Sequence, residues 1–118
     1  MVNDQKKISV ITICYNEESN ILPMYERLKK TLEPEGYPFE IIYVDNNSDD
    51  NSLSIYENLC AQDRRVKIIL MSRNFGYSQS SYFAGLKYCS VDCAILLDGD
   101  LQDPPELIPK FLRKWEED

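Results

Sequence analysis

The stretch of this sequence with the greatest chemical capacity is Cys93-Ala-Ile-Leu-Leu-Asp-Gly-Asp-Leu-Gln-Asp-Pro-Pro-Glu106. An apolar run delivers Asp98, Asp100 and Asp103 within six residues, with Gln102 between the last two. Like charges clustered at the end of a buried strand repel one another, which favours an oxygen-loving cation beside them. Mg²⁺ is the simplest neutraliser, because it takes carboxylate oxygens and usually fills its remaining positions with water and substrate phosphate. Asp98 and Asp100 are the strongest candidates for such a metal–phosphate site. An isolated Asp-x-Asp also reads as a polar turn where a strand exits, with Asp and Gly doing turn work. Other segments end in acids or amides: Tyr15-Asn16-Glu17 and Asp45-Asn46-Asn47-Ser48. Ser48 or Asn47 would serve equally well as a helix cap. Arg73, in Ser72-Arg-Asn-Phe-Gly76, reads either as a loop residue or as a cation facing an anion.

These side chains need a scaffold, and the hydrophobic pattern supplies one. Ile8–Tyr15 is β-branched and nearly continuous, as a central parallel strand should be. Ile21, Tyr25, Leu28 and Leu32 then fall on one helical face, with Pro23 expected near the first turn, where it is tolerated. Phe39–Val44 reads as a second strand, and Leu53, Tyr56, Leu59 and Cys60 mark a second helix. Val66–Met71 reads as a third strand. Tyr82, Phe83, Leu86 and Cys89 mark a third helix, with Tyr82 and Phe83 expected in the core rather than as a stacking platform. Cys93–Leu97 is the fourth strand, and Ile108, Phe111, Leu112 and Trp115 form the last helical face. The order βαβαβαβα predicts an α/β, Rossmann-like, mostly parallel sheet with helices on both faces. If strand one is central and strand four lies on its far side, the first and fourth strand ends flank one crevice. Ligands bind there in open sheets of this kind.

Composition narrows the chemistry further. The 118 residues fit one domain, and 43% hydrophobic residues can bury a core. A net charge of −7 argues against a nucleic-acid partner, which would need a basic stripe. Four cysteines without a C-x₂-C pair, and no histidine, argue against zinc. Free thiols acting as small hydrophobes are expected instead. The four glycines form neither G-x-G-x-x-G nor a P-loop. No apolar run approaches the ~20 residues of a membrane span. The N-terminus also lacks the apolar core of a signal peptide, so a cytoplasmic location is expected.

Four segments together carry a family resemblance: Ile11-Thr-Ile-Cys-Tyr-Asn-Glu-Glu18, Glu40-Ile-Ile-Tyr-Val-Asp-Asn-Asn-Ser48, Ser72-Arg-Asn-Phe-Gly76 and Leu97-Asp-Gly-Asp-Leu-Gln-Asp-Pro-Pro-Glu106. In this order the chain resembles family 2 glycosyltransferases. It is nearest the branch of dolichyl-phosphate mannose synthases and bacterial polyprenyl-phosphate glycosyltransferases. Ile13 stands where many relatives have proline, and Asn46-Asn47 replaces the commoner Asp-Gly.

The resemblance implies the N-terminal half of a GT-A fold that binds a UDP- or GDP-sugar. It implies that Tyr15, Asn16, Glu17, Asp45 and Asn46 hold the nucleoside and that Asp98 lies near the ribose or diphosphate. It implies that Asp100 and Gln102, with Asp98, place Mg²⁺ or Mn²⁺. Transfer to a polyprenyl phosphate by inverting displacement is the implied reaction. Residues 1–118 are expected to be the donor-binding portion, with the acceptor part, the catalytic base and any membrane attachment beyond residue 118. The full-length protein is then expected at the cytoplasmic face of the membrane, and the 118-residue piece alone is expected to have little transferase activity.

Two rival readings stand beside this one. A receiver-like, Mg²⁺-dependent phosphoacceptor domain would need an aspartate ending the third strand, where Met71-Ser72-Arg73 stands instead. A non-catalytic nucleotide-binding module is the other.

Overall fold

A computed structural model describes residues 6–74, 79–88, 92–99 and 104–117. Four strands, β1 (Ile8–Cys14), β2 (Phe39–Asp45), β3 (Val66–Leu70) and β4 (Cys93–Asp98), form one sheet in the order β3-β2-β1-β4. All three pairings are parallel, with Ile8 opposite Phe39 and Cys93, and Ile41 opposite Val66. The α-helices are α1 (Glu18–Leu32), α2 (Ser52–Gln62), α3 (Gln79–Tyr88) and α4 (Ile108–Glu117). Short 3₁₀ turns at Glu33–Glu35 and Pro105–Leu107 complete the elements. The chain thus steps outward from β1 to β3, then crosses back through α3 to place β4 on the other side of β1.

The two faces of the sheet have different cores. On one, Ile8, Val10, Cys14, Ile41 and Tyr43 meet Ile21, Met24, Leu28 and Leu32 of α1, Tyr56 and Leu59 of α2, and Ile108 and Leu112 of α4. On the other, Ile11, Ile13, Ile42 and Val44 meet Tyr82 and Ala84 of α3. This alternation along β1 and β2 is the period of two that a strand covered on both faces requires. Gly85 sets how closely α3 approaches. A Cβ there would lie 2.5 Å from Ile11 Cγ2 and 3.3 Å from Val44 Cγ2.

On the α3 side of the sheet, at the opposite end of the strands from their carboxyl termini, a carboxylate is buried. Glu40 is 1% exposed and accepts a short hydrogen bond from the Ser9 hydroxyl. Lys67 Nζ stands 2.6 Å and Lys7 Nζ 3.4 Å from its Oε1. Burial would raise this carboxyl, but the hydrogen bonds from Lys67 and Ser9 and the two ammonium charges outweigh it and hold Glu40 below its ordinary range.

Several expectations from the sequence are corrected in detail. Leu53, Leu86 and Phe111, placed on core-facing stripes by periodicity, are 48%, 39% and 55% exposed. On α2 and α4 the burial falls instead on Tyr56, Leu59, Ile108 and Leu112, so the apolar stripe is wider than the buried one. Leu96, in the β4 run expected to be fully buried, is 43% exposed on the α3 side of the sheet. β1 ends at Cys14 and β3 at Leu70, each a residue short of the expected limit. Phe83 and Cys89 lie outside the described side chains. Cys14 is buried and free, and Cys60 and Cys93 are half-buried and free.

Candidate functional site

The reversal of strand order falls between β1 and β4, and the chemistry-bearing loops gather at the carboxyl end of this sheet. The loop after β2 is built on Asp45. Its carboxylate accepts from Ser48 N at 2.7 Å, Ser48 Oγ at 2.6 Å and Tyr56 Oη at 2.9 Å. A carboxylate has about four acceptor positions, so three of the four face inward. Asp45, 4% exposed, is therefore a brace for its own loop. The next residue, Asn46, is also buried, and its N–H donates to Cys14 O at 2.8 Å, extending the β1–β2 ladder past the strand.

The loop after β1 is stitched to this one in both directions. Asn16 N donates to Ser48 Oγ at 2.8 Å, and Asp49 N donates to Asn16 Oδ1 at 2.9 Å. Asn16 and Asn47 take positive φ values of 52° and 63°, which asparagine tolerates better than most residues. Asp50 then caps two helices at once. Its Oδ2 accepts from Glu18 N at 3.2 Å, and its Oδ1 accepts from Ser52 N at 3.0 Å and Ser52 Oγ at 2.5 Å. Burial opposes ionisation, but these donors prevail and hold Asp50 below its ordinary range. Orphan N–H groups at the helix starts are thereby satisfied from a neighbouring loop. Glu17 accepts from Asn20 Nδ2 at 2.7 Å, and Tyr15, 43% exposed, projects from the end of β1.

On the other side of β1, Asp98 ends β4 opposite Ile13, and its half-buried side chain accepts from Tyr82 Oη of α3 at 3.2 Å. Gly99 follows at a point of close approach. Its N–H donates to Ile13 O at 2.9 Å, and a Cβ would lie 2.5 Å from Cys14 Sγ and 2.7 Å from Ile13 O. Cys14 belongs to this packing; burial pushes its thiol up to about 12, so it stays neutral. Before α4, Glu106 forms a bidentate pair with Arg27 of α1, with Arg27 Nε 2.8 Å from Glu106 Oε2.

The arrangement therefore brings Tyr15, Asn16, Glu17, Asp45, Asn46 and Asp98 to one end of the sheet. Arg73 is exposed in the loop after β3. Asp100, Gln102 and Asp103 lie outside the described residues, and among the described residues no three acidic or cysteine side chains cluster as a metal centre. Three residues that shape this end of the sheet, Ser48, Asp50 and Tyr82, stand outside the candidate ligand contacts read from the sequence. The first two carried a signal in their Asx-type spacing from Asp45 and to Ser52, whereas Tyr82 looked like any core aromatic.

Comparison with known proteins agrees with this architecture. The family model "Glycosyl transferase family 2" matches residues 9–118. The glycosyltransferase YkcC of Bacillus subtilis is 40% identical over 109 residues, covering 92% of this chain and 33% of that protein. The bactoprenol glucosyl transferase of Shigella phage SfV is 37% identical over 110 residues, covering 93% and 36%. The chain thus spans about a third of the length of the curated relatives it matches. Among solved structures, the mannosyltransferase PcManGT of Pyrobaculum calidifontis, in complex with GDP-Man and Mn²⁺, superposes with a TM-score of 0.78 at 19% identity, covering 96% of this chain and 33% of that one. The S. aureus TarS 1-349 structure with UDP-GlcNAc gives 0.74 at 24% identity, covering 94% and 31%. These likenesses place the fold among GT-A glycosyltransferases. With four motifs in order, a parallel sheet that reverses at β1 and β4, and a family match over nearly its whole length, the chain belongs to glycosyl transferase family 2.

Proposed function

We propose that this chain is the donor-binding portion of a hexosyltransferase that takes a sugar from a nucleotide-diphospho-sugar. The observation that carries the reading is the strand reversal between β1 and β4, with Asp98 on one side and the stitched Asn16–Ser48 loops on the other. In this reading Tyr15, Asn16, Glu17 and Asn46 contact the nucleoside, and Asp45 fixes the loop that presents Asn46. Arg73 faces the anionic part of the donor.

Asp98, with Asp100 and Gln102, would hold Mg²⁺ or Mn²⁺, and an all-oxygen donor set suits either ion. A bound divalent cation supplies Lewis-acid stabilisation of the charge left on the departing diphosphate. The chain's own contribution is to orient the donor and to keep the carboxylate of Asp98 in place. The acceptor is a polyprenyl phosphate, a reading supported by the bactoprenol glucosyl transferases among the relatives. That acceptor is already anionic, so positioning matters more than activation by a strong base, and displacement inverts the sugar carbon. The acceptor site, the catalytic base and any membrane attachment belong to the whole protein; within the described residues no helix is long and apolar enough to cross a membrane.

Calorimetric titration with UDP and GDP, each with and without Mn²⁺, tests the donor site. Metal-dependent binding of one nucleotide is expected. No binding of either nucleotide at millimolar concentration with Mn²⁺ present would overturn the reading, and labelling of an aspartate by acetyl phosphate would favour a receiver-like domain instead.

A further inference from the structure

We infer that Tyr82 is a positioning residue for the donor site, holding the Asp98 carboxylate through its hydroxyl; this inference rests on the donor-site reading above. Three observations on two elements converge. Asp98 lies opposite Ile13 on the α3 side of the sheet, so its side chain emerges beneath α3. Gly85, which has no room for a Cβ against Ile11, lets α3 lie close to β1 and β2. Tyr82 stands three residues earlier, on the same face of α3, and its ring packs against the Ile11–Ile13–Ile42–Val44 cluster. Helix seating thus fixes the ring, and the ring aims the hydroxyl, which donates to Asp98 Oδ1 at 3.2 Å.

The chemical consequence is specific. A phenol held by packing gives up little rotamer entropy when it donates, so it selects one orientation of the carboxylate. The hydroxyl engages Oδ1 and so sets the direction in which the carboxylate plane lies at the end of β4. Removing the hydroxyl leaves the ring packing intact and takes away one of the contacts that orient the carboxylate. The cost should appear in metal-dependent ligand binding rather than in folding, because a half-buried hydroxyl contributes little net stability.

The test is a double-mutant cycle on this chain, with Tyr82→Phe, Asp98→Ala and the double variant, read by calorimetric titration of whichever of UDP and GDP the parent binds with Mn²⁺. Tyr82→Phe is expected to weaken binding roughly 3- to 10-fold with Mn²⁺, the size of one ordinary hydrogen bond, as a 3.2 Å contact warrants, and to change binding little in EDTA. In the Asp98→Ala background the same substitution should have no further effect, as a residue acting only through Asp98 requires. Thermal unfolding should be nearly superimposable for parent and Tyr82→Phe. Unchanged Mn²⁺-dependent affinity in Tyr82→Phe, or an equal loss with and without Asp98, overturns the inference while leaving the donor-site reading standing. A parent chain that binds neither nucleotide overturns the donor-site reading itself, and the inference with it.

Discussion

Replacing Gly99 by alanine tests how the end of β4 is anchored. The new Cβ would sit 2.5 Å from Cys14 Sγ and 2.7 Å from Ile13 O. The sulfur could in part turn away, but the carbonyl is backbone within the β1 ladder and has no rotamer to change. The chain at residue 99 must therefore move outward, and the hydrogen bond from Gly99 N to Ile13 O, 2.9 Å long, lengthens or breaks. Overpacking of this kind costs ~1–3 kcal/mol. Loss of one backbone hydrogen bond adds about 1 kcal/mol. A total of roughly 2–4 kcal/mol is a large part of the ~5–15 kcal/mol available to a domain. In urea this should lower the unfolding midpoint by about 1–2 M, since m for small proteins is ~1–3 kcal/mol/M. Placing the substitution in a Cys14→Ala background should make it cheaper but not free, because the carbonyl clash remains. A Gly99→Ala chain within ~0.5 kcal/mol of the parent, the ordinary scatter of surface substitutions, would refute the close-approach argument.

Three further outcomes follow from the same geometry. Asp45→Asn keeps the shape but replaces a charged acceptor of three hydrogen bonds, and should cost about 2–3 kcal/mol by chemical denaturation, with faster hydrogen exchange at the Ser48 amide. Gly85→Val should destabilise the chain by ~1–3 kcal/mol through the contact with Ile11, whereas Leu86→Ala, at an exposed position, should leave the urea midpoint nearly unchanged. Asp63 is held well below the usual carboxylate range, chiefly by hydrogen bonds from Arg65 against an opposing burial effect, with help from Tyr25. A depressed folded-state value means its stabilisation is present above the unfolded value near ~3.9 and fades as pH falls through the folded one. Asp63→Asn should therefore melt below the parent at pH 7, with the gap closing below pH ~4; a gap independent of pH would contradict this.

The sheet and its strand order were legible because parallel strands buried on both faces write long β-branched runs, as in Ile8–Cys14 and Phe39–Val44. The crevice between β1 and β4 followed from assigning β1 to the centre, and the observed order bears that out. What stayed hidden were matters of partnership. Nothing in the identity of Asp45 says that its oxygens face Ser48 and Tyr56, because the Tyr56 hydroxyl arrives from the following helix. Periodicity likewise counted Leu53 and Phe111 as core residues, since a helix face can be apolar without a neighbour to cover it. The depth of Gly99 against Cys14 depends on two strands meeting, which no local pattern records.

Glu40, with Ser9 beside it on β1 and Lys67 on β3, has a consequence for how the sheet is assembled. Slipping β2 by one residue would turn every one of its side chains to the opposite face. For five of its seven residues such an error would exchange one apolar or aromatic side chain for another, while Asp45 at the end would lose its donors Ser48 and Tyr56. For Glu40 it would drive a carboxylate into the hydrocarbon beneath α1 and α2, away from both ammonium groups, at a cost of several kcal/mol. The correct alignment is thus checked by a charge that only three docked strands can neutralise. It sits at the far end of the sheet from the carboxyl ends of the strands, where it can lock the register without touching the loops that follow them.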